Sequence, residues 1–420
     1  MQRNITVNLG NLVLSLSDAM DLASPDLIQH QQRTAYVVWD MARAAKLSND
    51  RIEKCFIAAL LHDIGAFSLE EKISLRNNEK DDETHCIRGG TLLSPIFWLN
   101  NPAEIIKFHH KEWRSWDETI ENPIVFDSQL VLLADYLERQ IDRNRYILHQ
   151  NQDITNKIVS SSGSLFNPRI VELFLSVSNS EEFWLDIVSP RLYSLLLNEG
   201  PFRKIEINHF EILLLSELFR NIIDFRSRFT STHSSGVAAS ASMLSKIFGF
   251  SKSDIELMEI AGNLHDLGKL AVPNSILDKP GKLTNEEMAV MKSHTYYTYF
   301  VINTIGGLKQ IAEWAAYHHE KLDGSGYPFH CNEDEISTGS RIMMVADIFT
   351  ALAEDRPYRK GMSRNEVVQI LSQLKDNALL DAKIVNLLFE NYNEIFAYMS
   401  EKQSLAKEFY EKQFAFIERE

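Results

Sequence analysis

Histidine spacing constrains this chain more than any other feature. His30 and His62 stand 32 residues apart, and so do His233 and His265; His85 precedes the pair His109-His110 by 24 residues, as His294 precedes His318-His319. Asp63 and Asp266 each follow directly on a histidine, and Asp135 in L-L-A-D-Y-L answers Asp347 in M-V-A-D-I-F. Downstream, L-F-N-P-R-I-V-E-L (165–173) answers L-L-D-A-K-I-V-N-L (379–387). Of 13 histidines, ten fall on these matched positions and only His149, His209 and His330 do not. Scattered core or surface histidines do not sort this way, so the chain carries two copies of one unit.

Apolar residues recur at helical spacing, as in Tyr36, Val37, Met41 and Ala45 or Ile52, Phe56, Ala59 and Leu60, and no stretch alternates with period two over any length. The fold class is therefore all-α, opened by a short extended piece at 5–9 and a helix over Leu12–Leu22 that stops near Pro25. His265 and Asp266 close an apolar helical run (Ile255, Leu257, Met258, Ile260, Leu264), so an imidazole and a carboxylate leave one turn in nearly one direction. That is a divalent-metal arrangement. Imidazole nitrogen and carboxylate oxygen, with no cysteine among them, suit Mn, Fe or Zn.

A length of 420 residues allows two or three domains, and 45% hydrophobic with 24% charged residues is ordinary for a globular protein. The net charge of −15 speaks against DNA or any polynucleotide partner, whose phosphates are gripped by clustered Lys and Arg. A phosphate-bearing ligand must be small and met locally. The apolar runs are too short to cross a membrane, no signal-peptide pattern opens the chain, and three scattered cysteines (Cys55, Cys86, Cys331) fit a reducing compartment, so a cytoplasmic enzyme is expected. Breakers at Ser189-Pro190 and Gly200-Pro201 make 186–205 a connector between a first domain over 1–185 and a second over 206–420. The Leu-rich run Ile212–Phe219 reads first as core filler and second as the seam of a homodimer; Tyr398–Glu420 reads as a solvated, amphipathic cap.

The residues between the histidines narrow the reading. H-D-L-G-K (265–269), K-P-G-K-L-T (279–284), H-H-E-K-L-D-G-S-G-Y-P (318–328) and R-P-Y-R (356–359) together resemble the signature of the bacterial HD-GYP phosphodiesterases, a branch of the HD phosphohydrolase superfamily, over roughly the second half of the chain. The resemblance implies two tandem HD-type helical bundles, the first without the G-Y-P phrase. It implies that His233, His265, Asp266 and Asp347 hold one metal, and that Asp266 bridges to a second held by His294, His318 and His319, the ions being Fe or Mn. Lys269 would reach a phosphoryl oxygen, with Tyr327, Arg356 and Arg359 on the substrate side. Some members of that family hold a third metal with a glutamate four residues before the first histidine; here that position is Phe229, so a binuclear site is expected. The implied substrate is a small cyclic dinucleotide opened to a linear 5′-phosphorylated product. Cyclic di-GMP is the usual one. An HD unit fused to an HD-GYP unit with no receiver domain is similar to the phosphodiesterases acting on 3′3′-cGAMP, which favours that hybrid.

The first copy keeps a full set of candidate ligands, His30, His62, Asp63, His85, His109, His110 and Asp135, enough for one or two further divalent ions. It lacks the lysine, which is Ala66, and carries K-E-W-R-S-W-D in place of the glycine turn. Two fates fit: a non-catalytic regulatory domain, or a 5′-nucleotidase working on the product made next door. A signalling scaffold that binds a nucleotide without turnover is the competing reading for the whole chain.

Overall fold

Helices begin where the sequence supplies side-chain acceptors. Asn122 and Asn167 each accept a backbone N–H two residues on and are each followed by proline, opening Pro123–Arg139 and Pro168–Ser178. Ser48, Ser251 and Ser337 cap Asn49–Leu60, Lys252–Leu264 and Thr338–Ala353, and Thr284 forms a reciprocal box with Glu287 at the start of Asn285–Thr304. The computed structural model describes residues 7–22, 27–67, 69–76, 83–202, 206–226, 232–355 and 360–413. Arg356, Arg359 and Phe229 lie outside them. Among the described residues the only strands are a two-residue antiparallel pair, Val7–Asn8 with Glu206–Ile207. The fold is all-α, as the periodicity predicts.

The chain divides into two compact units, Leu9–Ile205 and Met1–Asn8 with Glu206–Glu420. In the N-terminal unit the His30–Ala44 helix packs against Asn49–Leu60, Pro123–Arg139 and Pro168–Ser178, while Thr84–Leu93 packs on Asn100–Lys107. Phe56, Phe166, Phe174, Phe183 and Trp184 fill its core. The stretch 186–205, read as a connector, carries the helix Leu192–Glu199, whose Leu192 and Leu196 are fully buried in this unit.

The C-terminal unit repeats the plan. His233–Phe248 packs against Lys252–Leu264 and Thr338–Ala353, and Asn285–Thr304 against Lys309–Ala316. The His209–Arg226 helix buries Ile212, Leu215, Leu218 and Phe219 and packs on Lys252–Leu264 as core. Of the tail expected as an amphipathic, solvated cap over Tyr398–Glu420, residues 414–420 lie outside the described residues, and the rest is mostly exposed or half-buried along a helix that seats one apolar face. Tyr392–Gln413 docks along His233–Phe248, burying Ile395, Met399 and Ala406, because a narrow apolar stripe among many charges still suffices to seat a helix.

Candidate metal centres

In the C-terminal unit three imidazoles are locked from behind. Nδ1 of His265, His294 and His318 lies 2.8, 2.6 and 2.6 Å from the carbonyl oxygens of Gly262, Met291 and Ala315, three residues earlier in each case. Each Nδ1 donates its proton there, which leaves the Nε2 lone pair facing inward. His233 is held by a carboxylate instead: Nδ1 is 3.0 Å from Glu354 Oε1, and Nε2 is 3.1 Å from Asp347 Oδ1.

Two groups of donors result, His233 with His265 and Asp347, and His294 with His318 and His319, the ligand atoms of each group lying within 4.8 Å of one another. Asp266 stands between them. Its Oδ2 is 3.1 Å from His265 Nε2, and its Oδ1 is 3.4 Å from His294 Nε2 and 3.9 Å from His318 Nε2. His265 Nε2 and Asp266 Oδ1 are buried without a hydrogen-bond partner, and the Nε2 atoms of His294 and His318 are 3.2 Å apart. Converging lone pairs and an orphaned carboxylate oxygen are costly to bury, and divalent cations relieve both. The donor set therefore fits such ions.

The electrostatics agree. Burial pushes His294 down to about 3 against the pull of Asp266, and holds His318 and His319 below the usual imidazole value, so these rings are neutral and able to donate a lone pair. Burial opposes charge on Asp266 as well, yet His265 and Lys269 outweigh it and keep the carboxyl far below its ordinary range. At His233 burial is outweighed by Glu354 and Asp347, which raise the ring to about 10. This corner of the cage attracts positive charge, and a cation at Nε2 would replace the proton.

Two of the residues that the resemblance assigns to the substrate side are among those described. Lys269 Nζ sits 2.5 Å from Asp266 Oδ2, at the cage. Tyr327 donates its backbone N–H to the His319 carbonyl at 3.2 Å, and its ring lies 4.9 Å from that of His319 with Lys292 over it. Gly324 has φ 76°, a conformation that favours glycine. The loop is tied down by buried Glu320, which accepts from the backbone N–H of Phe329 at 2.7 Å and Cys331 at 3.2 Å.

The N-terminal unit repeats the locking pattern. Nδ1 of His62 and His109 lies 2.8 and 2.6 Å from Ala59 and Ile106 carbonyls, and His30 Nδ1 lies 2.6 Å from Glu138 Oε2. His30 Nε2 is 3.2 Å from both His62 Nε2 and Asp63 Oδ2, and Asp135 Oδ1 is 3.5 Å from His62 Nε2. His85 and His109 approach to 3.4 Å through Nε2, and Asp63 Oδ1 is buried without a hydrogen-bond partner. One cation is new. Arg139 pairs with both oxygens of Asp135 and reaches His110 Nε2 at 2.8 Å, bringing positive charge to a site whose lysine position is Ala66.

All candidate ligands of both copies thus converge, while four participants escaped the spacing argument: Glu138, Glu354, Arg139 and Glu320. Glu138 lies three residues after Asp135, but Glu354 lies seven after Asp347, so a comparison by equal spacing passes over the pair. The helical period was the available signal, since both offsets return to the face that carries the aspartate.

The HD domain family matches residues 217–384 and, separately, 27–140. The 3′3′-cGAMP-specific phosphodiesterase 1 of Vibrio cholerae is 31% identical over 406 residues, 93% of this chain and 93% of that protein. This chain belongs to the HD-domain phosphodiesterases. The cyclic di-GMP phosphodiesterase response regulator RpfG of Xanthomonas campestris is 35% identical over 187 residues, 44% of this chain and 48% of that protein. A solved V. cholerae structure described as a cyclic GMP-AMP specific phosphodiesterase shares the fold, with TM-score 0.63 and 23% identity over 95% of this chain and 98% of that one.

Proposed function

We propose that the C-terminal unit linearises 3′3′-cGAMP with two divalent ions, Fe or Mn, held by His233, His265, Asp266, Asp347, His294, His318 and His319. The observation that carries this reading is the orphaned Oδ1 of Asp266 between two groups of inward-facing imidazoles. Ions bound there would supply Lewis-acid charge to a phosphodiester and to the water that attacks it. Lys269, held against Asp266, adds charge for the phosphoryl oxygens as negative charge builds. Tyr327, carried by the Gly324 turn, walls the substrate side, and Arg356 and Arg359 are assigned to nucleotide contacts on the resemblance alone.

The hybrid dinucleotide is favoured over cyclic di-GMP because a relative named as a 3′3′-cGAMP-specific phosphodiesterase matches 93% of this chain, whereas the cyclic di-GMP phosphodiesterase RpfG matches 44% of it. Incubation with each dinucleotide and chromatography of the products tests this. Wild type should open 3′3′-cGAMP fastest, and Asp266→Ala should open neither. Equal turnover of both nucleotides rejects the substrate; binding without turnover leaves the scaffold reading.

For the N-terminal unit we propose a phosphomonoesterase acting on the linear product. The convergence of His30, His62, Asp63, His85, His109 and Asp135 and the arrival of Arg139 where Lys269 has no counterpart favour a working site over a decayed one. In the full chain, Asp63→Ala should still linearise the substrate but release no inorganic phosphate; phosphate release equal to wild type sinks the assignment.

A further inference from the structure

The N-terminal unit has a sulfur where the C-terminal unit has none. Cys86 follows His85 on the Thr84–Leu93 helix, is fully buried, and places Sγ 3.5 Å from His85 Nε2. The ligand atoms of His85, Cys86, His109 and His110 lie within 4.8 Å of one another. The matching residue after His294 is Thr295, whose hydroxyl donates to the Lys292 carbonyl at 3.0 Å.

We propose that Cys86 is a metal ligand, binding as thiolate beside His85 and His109, and that this pocket selects a tetrahedral, sulfur-tolerant ion, Zn²⁺, with its fourth position open. The distances carry the argument. A tetrahedral ion with bonds of about 2.0–2.1 Å to nitrogen and about 2.3 Å to sulfur separates its ligand atoms by about 3.3–3.6 Å. Two separations already match: His85 Nε2 is 3.4 Å from His109 Nε2 and 3.5 Å from Cys86 Sγ. His109 Nδ1 is occupied by the Ile106 carbonyl, so its Nε2 is the atom that faces the pocket. The fourth position is open because His110 Nε2 accepts from Arg139 at 2.8 Å. As the ion binds, the thiol proton is released to water and sulfur donates an electron pair to the metal, with no change of oxidation state. Asp63 then serves the outer pocket with His30 and His62. The two units thereby differ in preference, the C-terminal nitrogen and oxygen donors suiting Mn or Fe and this site suiting zinc.

This inference rests on the N-terminal unit holding metal at all, and the experiment separates the two. The full-length chain is stripped with chelator and titrated with Co²⁺ to saturation, with bound cobalt counted by elemental analysis and the near-ultraviolet spectrum recorded. A thiolate-to-cobalt charge-transfer band is expected in wild type and in Cys331→Ser, and its complete loss in Cys86→Ser. Cobalt that fills the N-terminal unit without that band, or a band that survives Cys86→Ser, overturns the thiolate alone. No cobalt beyond the C-terminal ions overturns the N-terminal metal reading with it. Should Cys86→Ser fail to fold, zinc-edge X-ray absorption of the zinc-loaded wild type decides: a sulfur shell at about 2.3 Å supports the ligand, and nitrogen and oxygen alone refute it.

Discussion

Glu138 and Glu354 select which nitrogen of His30 and His233 faces the cage, and each is itself held. Glu138 takes Arg33 at 3.3 Å and Arg143 at 3.0 Å, while Glu354 takes Gln403 of the last helix at 3.0 Å. Glu354→Ala should therefore weaken metal binding in the C-terminal unit about 10–100-fold, with activity recovered at raised metal, because the orienting partner of a ligand is lost while the ligand stays. Metal titration followed by activity measures it, and an unchanged affinity would remove Glu354 from the site. Glycine offers a second test at this scale. A Cβ on Gly268 would meet the His294 carbonyl oxygen at 1.9 Å, and one on Gly65 would meet the His85 carbonyl oxygen at 2.0 Å. Gly268→Ala should push the Asn285–Thr304 helix outward and cost about 1–3 kcal/mol, read from the shift in a urea transition. The convergence of the candidate ligands was legible because a metal site constrains residue type and, through the helices, spacing. The orienting acids were not, because a partner on the same helix face can sit three or seven residues on and still reach the ring.

Each first histidine opens its helix, and the helix start is set by an acid nine residues earlier in both copies. Asp21 accepts the Gln31 backbone N–H at 3.0 Å; Asp224 accepts those of Ser234 and Ser235 at 3.1 and 3.4 Å. Burial raises Asp224 from 3.8 to about 6, against the hydrogen bonds of Ser234 and the charges of Arg220 and His233. The folded chain thus holds this proton more tightly than the unfolded chain. Stability from it is complete below about pH 4 and is lost as pH rises through about 6. Asp224→Asn, which stays neutral, should lose none over that window, so the difference between wild type and variant should open from pH 4 to 6 in denaturation midpoints; parallel curves would refute it. Elements read from periodicity were recovered well, including the His209–Arg226 helix. The docking of Tyr392–Gln413 was not, since charges dominate its sequence and the groove that receives Met399 and Ala406 is made by residues far away in the chain.

At the scale of the whole chain, the two units share one plan of candidate ligands and differ in what surrounds it. The C-terminal unit has the glycine turn that brings Tyr327 beside His319, whereas the N-terminal unit has Arg139 and Cys86 and carries Ala66 at the lysine position. A buried cage of imidazoles and acids is a cost to the fold that divalent ions offset, so each unit should be stabilised by its own metal, by about 4 kcal/mol when the ion is present at a thousand times its dissociation constant. Because each unit is compact in its own right, calorimetry should resolve two transitions, both moving upward when divalent ions are added to stripped protein. Asp63→Ala should shrink the shift of one transition and leave the other fully responsive, and Asp266→Ala should do the reverse. If either substitution silences both shifts, the cages are energetically one site, and the division of labour between phosphodiester opening and phosphate release fails with it.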